Sequence, residues 1–257
     1  MTGTLFDISG RLALVTGSSR GLGLALATGL ARHGARVVLH GRDSTALARA
    51  QEQVAAAGDG GTVPTVSFDV TDPAAVRAGV GALIEEHGVP DILVNNAGIQ
   101  RRAPFNDFDP ADWDDVVAAN LSSAFYVSQQ VTRGMAERGS GKVVNIGSVQ
   151  SRLARQTIAP YSATKGGIVM LTRGMAADLA RYNIQVNAIS PGYFATEMNR
   201  ALVEDEAFNR WVEQRTPAGR WGRFEELIGT LVYLCSDASS FVSGQNIFVD
   251  GGMTAVV

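Results

Sequence analysis

Leu12-Ala13-Leu14-Val15-Thr16-Gly17-Ser18-Ser19-Arg20-Gly21-Leu22-Gly23 is the stretch that decides the architecture. Four apolar residues make a short buried strand. Three glycines follow in the spacing Gly-x3-Gly-x-Gly. Gly21 then opens a small-residue, apolar helix that runs to about His33 and stops at Gly34. Strand, tight glycine turn and helix in this order begin a βαβ unit. Glycine lets the backbone turn sharply and approach a pyrophosphate, which meets the free N–H groups of the helix. A second strand, Val37-Val38-Leu39, follows at the distance such a unit requires.

The same alternation continues to the end of the chain. A helix is predicted over 44–57 and ended by Gly58, and a strand over 63–68. Asp72 before Pro73 has the form of an N-cap with proline in the first turn, on a helix reaching about His87. Ile92-Leu93-Val94 reads as the fourth strand, 110–138 as a long helix, and 143–146 as the fifth strand. A helix over 161–182, a strand over 185–189, a helix over 224–236 and a last strand over 247–249 complete the pattern. Unbroken apolar strands between helices predict an α/β fold: a single domain over 1–257 with a Rossmann-type doubly wound parallel sheet and helices on both faces. The stretch 191–217 reads as irregular and is placed to cover a ligand crevice.

With 257 residues the chain is long enough for one large core, and its 46% apolar content is that of a globular protein. A formal charge of −3 gives no pull toward nucleic acid or anionic lipid. No apolar run is long enough to span a bilayer, and no secretory signal is visible, so a cytoplasmic setting is expected. Cys235, the single cysteine, sits in an apolar run and reads as a core thiol, and no Cys/His cluster offers a metal site.

Further motifs follow in order. Asn95-Asn96-Ala97-Gly98 comes after the fourth strand, and Tyr161-Ser162-Ala163-Thr164-Lys165 opens a helix with Ser148 upstream. Pro191-Gly192 follows the sixth strand, with Thr196 beyond it. Together with the glycine turn they span nearly the whole chain and resemble the short-chain dehydrogenase/reductase family. The resemblance implies a catalytic set of Asn120, Ser148, Tyr161 and Lys165. It implies cofactor contacts from Gly17, Ser19, Arg20, Gly21, Leu22, Gly23, Asp69, Val70, Asn96, Ala97, Gly98, Tyr161, Lys165, Pro191, Gly192 and Thr196, and a homotetramer. The chemistry agrees. Interconverting an alcohol and a ketone needs a proton donor or acceptor beside the carbon that exchanges hydride. A phenol titrates near 10, and Lys165 one helical turn away is expected to favour the phenolate. Ser148 is expected to donate to the substrate oxygen. Asn120 is expected to interrupt its helix and hold a water that links Lys165 to solvent.

The coenzyme is read from the end of the second strand, where an acidic residue would bind the ribose hydroxyls of NAD. Gly41 stands there, followed by Arg42, with Arg20 in the glycine turn. Two guanidinium groups suit a 2′-phosphate, so NADP is expected over NAD.

Longer runs narrow the resemblance. Gln100-Arg101-Arg102, residues 191–198, 201–208 and 215–222 are similar to a subgroup of the family that interconverts D-gluconate and 5-keto-D-gluconate. A small sugar-acid substrate would be held through its carboxylate by Arg101, Arg102 or Arg155, beside Ser148 and Tyr161. The chain departs from the subgroup at Arg152, where Glu is usual, and at Gly147, where Cys is frequent. A carbonyl reductase of the same family acting on a 3-oxoacyl thioester or a simple ketone, and a non-catalytic cofactor sensor on the same fold, are the alternatives.

Overall fold

The computed structural model describes residues 5–195 and 203–256, so the expected contact at Thr196 lies outside the described residues. Seven strands form one wholly parallel sheet in the order β3-β2-β1-β4-β5-β6-β7. They are β1 (Leu12–Val15), β2 (Arg36–His40), β3 (Thr65–Val66), β4 (Ile92–Asn95), β5 (Gly141–Ile146), β6 (Ile184–Pro191) and β7 (Asn246–Val249). The helices are α1 (Gly21–Arg32), α2 (Ser44–Ala57), α3 (Pro73–His87), α4 (Pro110–Val117), α5 (Ser123–Arg138), α6 (Ala159–Leu179), α7 (Glu206–Arg215) and α8 (Glu225–Cys235).

Side-chain alternation explains the unbroken apolar strands. Ala13 and Val15 of β1 enter one core with α1, α2 and α8, while Leu12 and Leu14 enter a second core with α3 and α5. Both faces are therefore covered, as parallel sheets require. On the first face α1 and α8 pack so closely that a methyl group on Gly29 would strike Ile228 at 2.4 Å.

Asp43, Asp72, Asp109 and Asp205 accept from backbone N–H groups and cap α2, α3, α4 and α7. Helix α1, which opens at the glycine turn, has no side-chain cap at Arg20. Its first N–H groups thus face the C-terminal edge of the sheet. Strand order reverses between β1 and β4, and a crevice opens at such a point.

Three expectations are corrected. The third strand covers only Thr65–Val66, because Gly60 and Gly61 lead into it and Asp69 turns the chain just after it. The long helix over 110–138 becomes two, α4 and α5, the interruption expected at Asn120 being a π-helical turn at Ala118–Ser122. The stretch 191–217 is not irregular throughout, since α7 lies within it, capped by Asp205. Among the described residues no helix is long and apolar enough to cross a membrane.

Candidate active site

The glycine turn is built by close approach. Gly17 and Gly21 have φ of +63° and +56°, in the left-handed region that favours glycine. A Cβ on Gly23 would lie 2.2 Å from the Gly17 carbonyl oxygen and 2.4 Å from Asn96 Nδ2. Asn96 holds the turn from the neighbouring strand, donating through Nδ2 to the carbonyls of Thr16 and Gly17 at 2.9 and 3.1 Å. The Thr16 hydroxyl in turn accepts from the Asn96 and Ala97 amides at 3.0 and 3.1 Å. Leu22 leans on the core beneath.

His40 escaped the sequence reading. Its Nδ1 accepts from the Gly17 amide at 3.0 Å, and its Nε2 meets the Phe68 carbonyl at 3.0 Å, which sets the proton on Nε2. Burial pushes this imidazole down to about 4, so the ring is neutral and remains an acceptor for the turn. Only the tertiary pairing of β2 with β1 reveals this role.

An exposed Arg20, a half-buried Ser19 and Gly41 lie at the outer end of the turn, and a Cβ on Gly41 would meet Ser19 Oγ at 3.0 Å. Arg42 is engaged with Asp69, Nη1 to Oδ2 at 2.8 Å, with most of its side chain in solvent. Asp69 also accepts from the Thr71 amide and hydroxyl at 2.9 and 2.7 Å. Its carboxylate therefore serves the turn after β3, and Val70 packs on the second core.

Asn120 lies in the π-turn. Its Oδ1 accepts from the Ile99 amide at 2.7 Å, and its Nδ2 donates to the Ile99 carbonyl at 2.9 Å and to Thr164 Oγ1 at 3.3 Å. The side chain thus ties the 98–99 segment to α6. Gly98 is glycine for the same reason, since a Cβ there would reach Asn120 Oδ1 at 2.8 Å.

Ser148 follows β5. Its amide donates to Ser190 Oγ at 3.1 Å, its Oγ accepts from the Gln150 amide at 3.1 Å, and its hydroxyl lies near the Tyr161 phenol. Ser190 also explains Gly147, because a Cβ at that position would fall 2.4 Å from Ser190 Oγ. Pro191 ends β6 beside this pair, and the Gly192 amide donates to Val249 O at 3.0 Å.

The Tyr161–Lys165 pair differs from expectation. Burial raises the Tyr161 phenol above its ordinary value, while the Ser148 hydroxyl and the Arg102 charge pull it back. Lys165 lies 5.6 Å from the Tyr161 ring centre, with Nζ donating to Ile146 O at 2.7 Å. The ammonium is thus directed at the end of β5 rather than at the phenol oxygen, and burial pushes it down to about 8.

The three arginines separate. Arg101 is paired with Asp112 at 3.1 Å and Asp115 at 3.9 Å, in a half-exposed cluster at the start of α4. Arg102 lies near Arg155, Tyr193 and Tyr161. Partial burial and repulsion from Arg155 lower its pKa, while the phenols Tyr193 and Tyr161 raise it. Arg155 lies beside Tyr193 and sits 5.4 Å over the ring of Phe208. Thr157 fixes this loop with a φ of 71°, rare for a β-branched residue, and its carbonyl accepts from Ala103 at 3.2 Å. Arg152 turns away toward Phe248, 6.0 Å from the ring.

An aromatic wall completes the site and was not anticipated. Tyr193 makes edge-on contacts with Phe208, Trp211 and Trp221 at 5.6, 5.7 and 5.7 Å. The wall draws on three separated stretches, so no local spacing announced it.

Residues 17–254 match the family described as enoyl-(acyl carrier protein) reductase. The chain is 56% identical over 250 residues to the gluconate 5-dehydrogenase of Gluconobacter oxydans (strain 621H), covering 97% of each protein. It is 51% identical over 253 residues to the 5-keto-D-gluconate 5-reductase of Escherichia coli (strain K12), covering 98% of this chain and 99% of that one. Among solved structures, a gluconate 5-dehydrogenase from Burkholderia cenocepacia J2315 in complex with NADP and tartrate superposes with a TM-score of 0.95. The identity is 52%, and 98% of each chain is covered. With Ser148, Tyr161 and Lys165 gathered above a glycine turn on a seven-stranded parallel sheet, and with these relatives, the chain belongs to the short-chain dehydrogenase/reductase family.

Proposed function

We propose that this single-domain enzyme, spanning 1–257, interconverts D-gluconate and 5-keto-D-gluconate with NADP(H). The observation that carries the reading is the pair Arg102 and Arg155, two cationic groups near Tyr161 and Tyr193 with no acidic partner among the described residues. A carboxylate placed between them relieves their mutual repulsion and forms charge-assisted hydrogen bonds. The relatives, named for gluconate and 5-keto-D-gluconate, and the neighbour solved with NADP and tartrate support the same reading.

The residues present fit a dinucleotide. Gly17, Gly21 and Gly23 leave a cradle that side chains would fill or strain, and the uncapped N-terminus of α1 suits a pyrophosphate. Ser19 and Arg20 lie beside Gly41 for a 2′-phosphate, and Arg42 joins them by releasing Asp69. When bound, NADP(H) supplies or accepts the hydride.

In this reading the chain's own groups do the rest. Arg102 and Arg155 hold the carboxylate and place C5 beside Tyr161. Ser148 donates to the substrate oxygen, and Tyr161 gives it a proton in reduction or takes one in oxidation. Lys165, already below its ordinary pKa, holds the nicotinamide ribose and passes the proton onward through a water beside Asn120. The enzyme works in the cytoplasm as a homotetramer. The exposed Phe105, Trp113, Phe125 and Met170, on and around α4, α5 and α6, support assembly.

The test is an NADPH-oxidation screen over 5-keto-D-gluconate, neutral ketones and a 3-oxoacyl thioester, repeated with NADH. The expected result is the highest kcat/KM for 5-keto-D-gluconate with NADPH. Turnover of a neutral ketone or thioester with none of 5-keto-D-gluconate would overturn the substrate. A higher kcat/KM with NADH would overturn the coenzyme.

A further inference from the structure

Gln150 follows Ser148 by two residues and occupies the short helical turn Val149–Ser151. Only 8% of it is exposed. Its amide nitrogen Nε2 lies 3.5 Å from the Tyr193 hydroxyl, while Oε1 is buried and has no hydrogen-bond partner. A buried acceptor left unmade is costly, and native proteins keep few of them. Tyr193 accounts for the donors nearby. Its oxygen receives Gln150 Nε2, with the Arg155 guanidinium nearby, so its own O–H remains to donate. Among the described residues, the end of the site beyond Tyr161 thus carries donors from Arg102, Arg155 and Tyr193, and an idle acceptor on Gln150.

That inventory describes a ligand. The donors suit a carboxylate and a carbonyl, and a lone acceptor suits a hydroxyl. We propose that Gln150 is a specificity-determining residue whose Oε1 accepts a hydrogen bond from a hydroxyl on the substrate's carbon chain. The proposal rests on the sugar-acid reading above and deepens it. The last torsion of a glutamine is soft, and the 3.5 Å contact to Tyr193 restrains it weakly, so rotation of the amide brings the oxygen to the side that Nε2 now shares with the Tyr193 hydroxyl. A site that hydrogen-bonds a substrate hydroxyl rejects the compound lacking it, because its own polar group then stays unpaired.

The experiment compares wild type with Gln150→Met on two compounds. One is 5-keto-D-gluconate. The other is 5-oxohexanoate, which has the same spacing between carboxylate and ketone but no hydroxyls. The reading is the ratio of the two kcat/KM values. Gln150→Met is expected to lower this ratio at least tenfold, chiefly by raising KM for 5-keto-D-gluconate. Turnover of 5-oxohexanoate by the variant shows that the fold and the NADPH site are intact. If wild type reduces 5-keto-D-gluconate and the variant keeps the ratio within threefold, the Gln150 assignment fails and the sugar-acid reading stands. If wild type does not reduce 5-keto-D-gluconate at all, the sugar-acid reading and this inference fall together.

Discussion

The two ends of the crevice are built in opposite ways. At the cofactor end the backbone does the work: Gly17 and Gly21 adopt positive φ, Gly23 packs against the Gly17 carbonyl, and Asn96 and His40 bind main-chain groups. At the substrate end side chains do the work, and they come from distant segments: Arg102 after β4, Gln150 and Arg155 after β5, Tyr193 after β6, and Phe208 on α7. A backbone site tolerates little change and suits a ligand common to many enzymes. A side-chain site is altered by single substitutions and suits the part of the reaction that differs between relatives. Tyr161 stands where the two meet.

The sharpest break of this comparison is at the meeting point. Tyr161→Phe is expected to lower kcat about 1,000-fold, within the usual range for a lost general acid–base group, with NADPH affinity held within threefold. Steady-state rates and NADPH fluorescence titration check it. A near-normal kcat would remove Tyr161 from the proton path.

A smaller effect sharpens the account of the cofactor end. Burial holds His40 down to about 4 in the folded chain, against an ordinary imidazole value near 6.5 when unfolded. Between those values the unfolded chain binds a proton that the native ring does not. His40's contribution is therefore full above about pH 6.5 and is lost as pH falls toward 4, by roughly 3 kcal/mol across the window. Denaturant unfolding at pH 7 and pH 4.5 should show a loss that His40→Gln lacks. Equal losses in both proteins would mean that His40 does not pin the turn.

The same contrast governs what the sequence made legible. Glycines at fixed spacing announce a turn because other residues cannot adopt it, and Tyr161 with Lys165 is a one-turn spacing that survives folding unchanged. The parallel sheet was legible because strands buried on both faces are apolar throughout. The adjacent Arg101 and Arg102 look alike in the sequence, since the Asp112 and Asp115 that pair with Arg101 arrive from α4. Lys165 was read as the group that lowers Tyr161, but its Nζ is taken by Ile146 O, a partner 19 residues away. Gln150 carries no signal of its own, and Tyr193 and Phe208, though they lie in runs that resemble the subgroup, meet only once β6 and α7 are assembled.

The central claim, that the substrate end selects a carboxylate through Arg102 and Arg155, is tested most directly by the double variant Arg102→Ala, Arg155→Ala. The quantity to measure is kcat/KM for 5-keto-D-gluconate relative to the neutral keto sugar L-sorbose, with NADPH. Hydrogen bonds to charged groups contribute about 1.5–3 kcal/mol each, so the ratio should fall about 100-fold or more. A parallel loss on both compounds, or an unchanged ratio, would contradict the account.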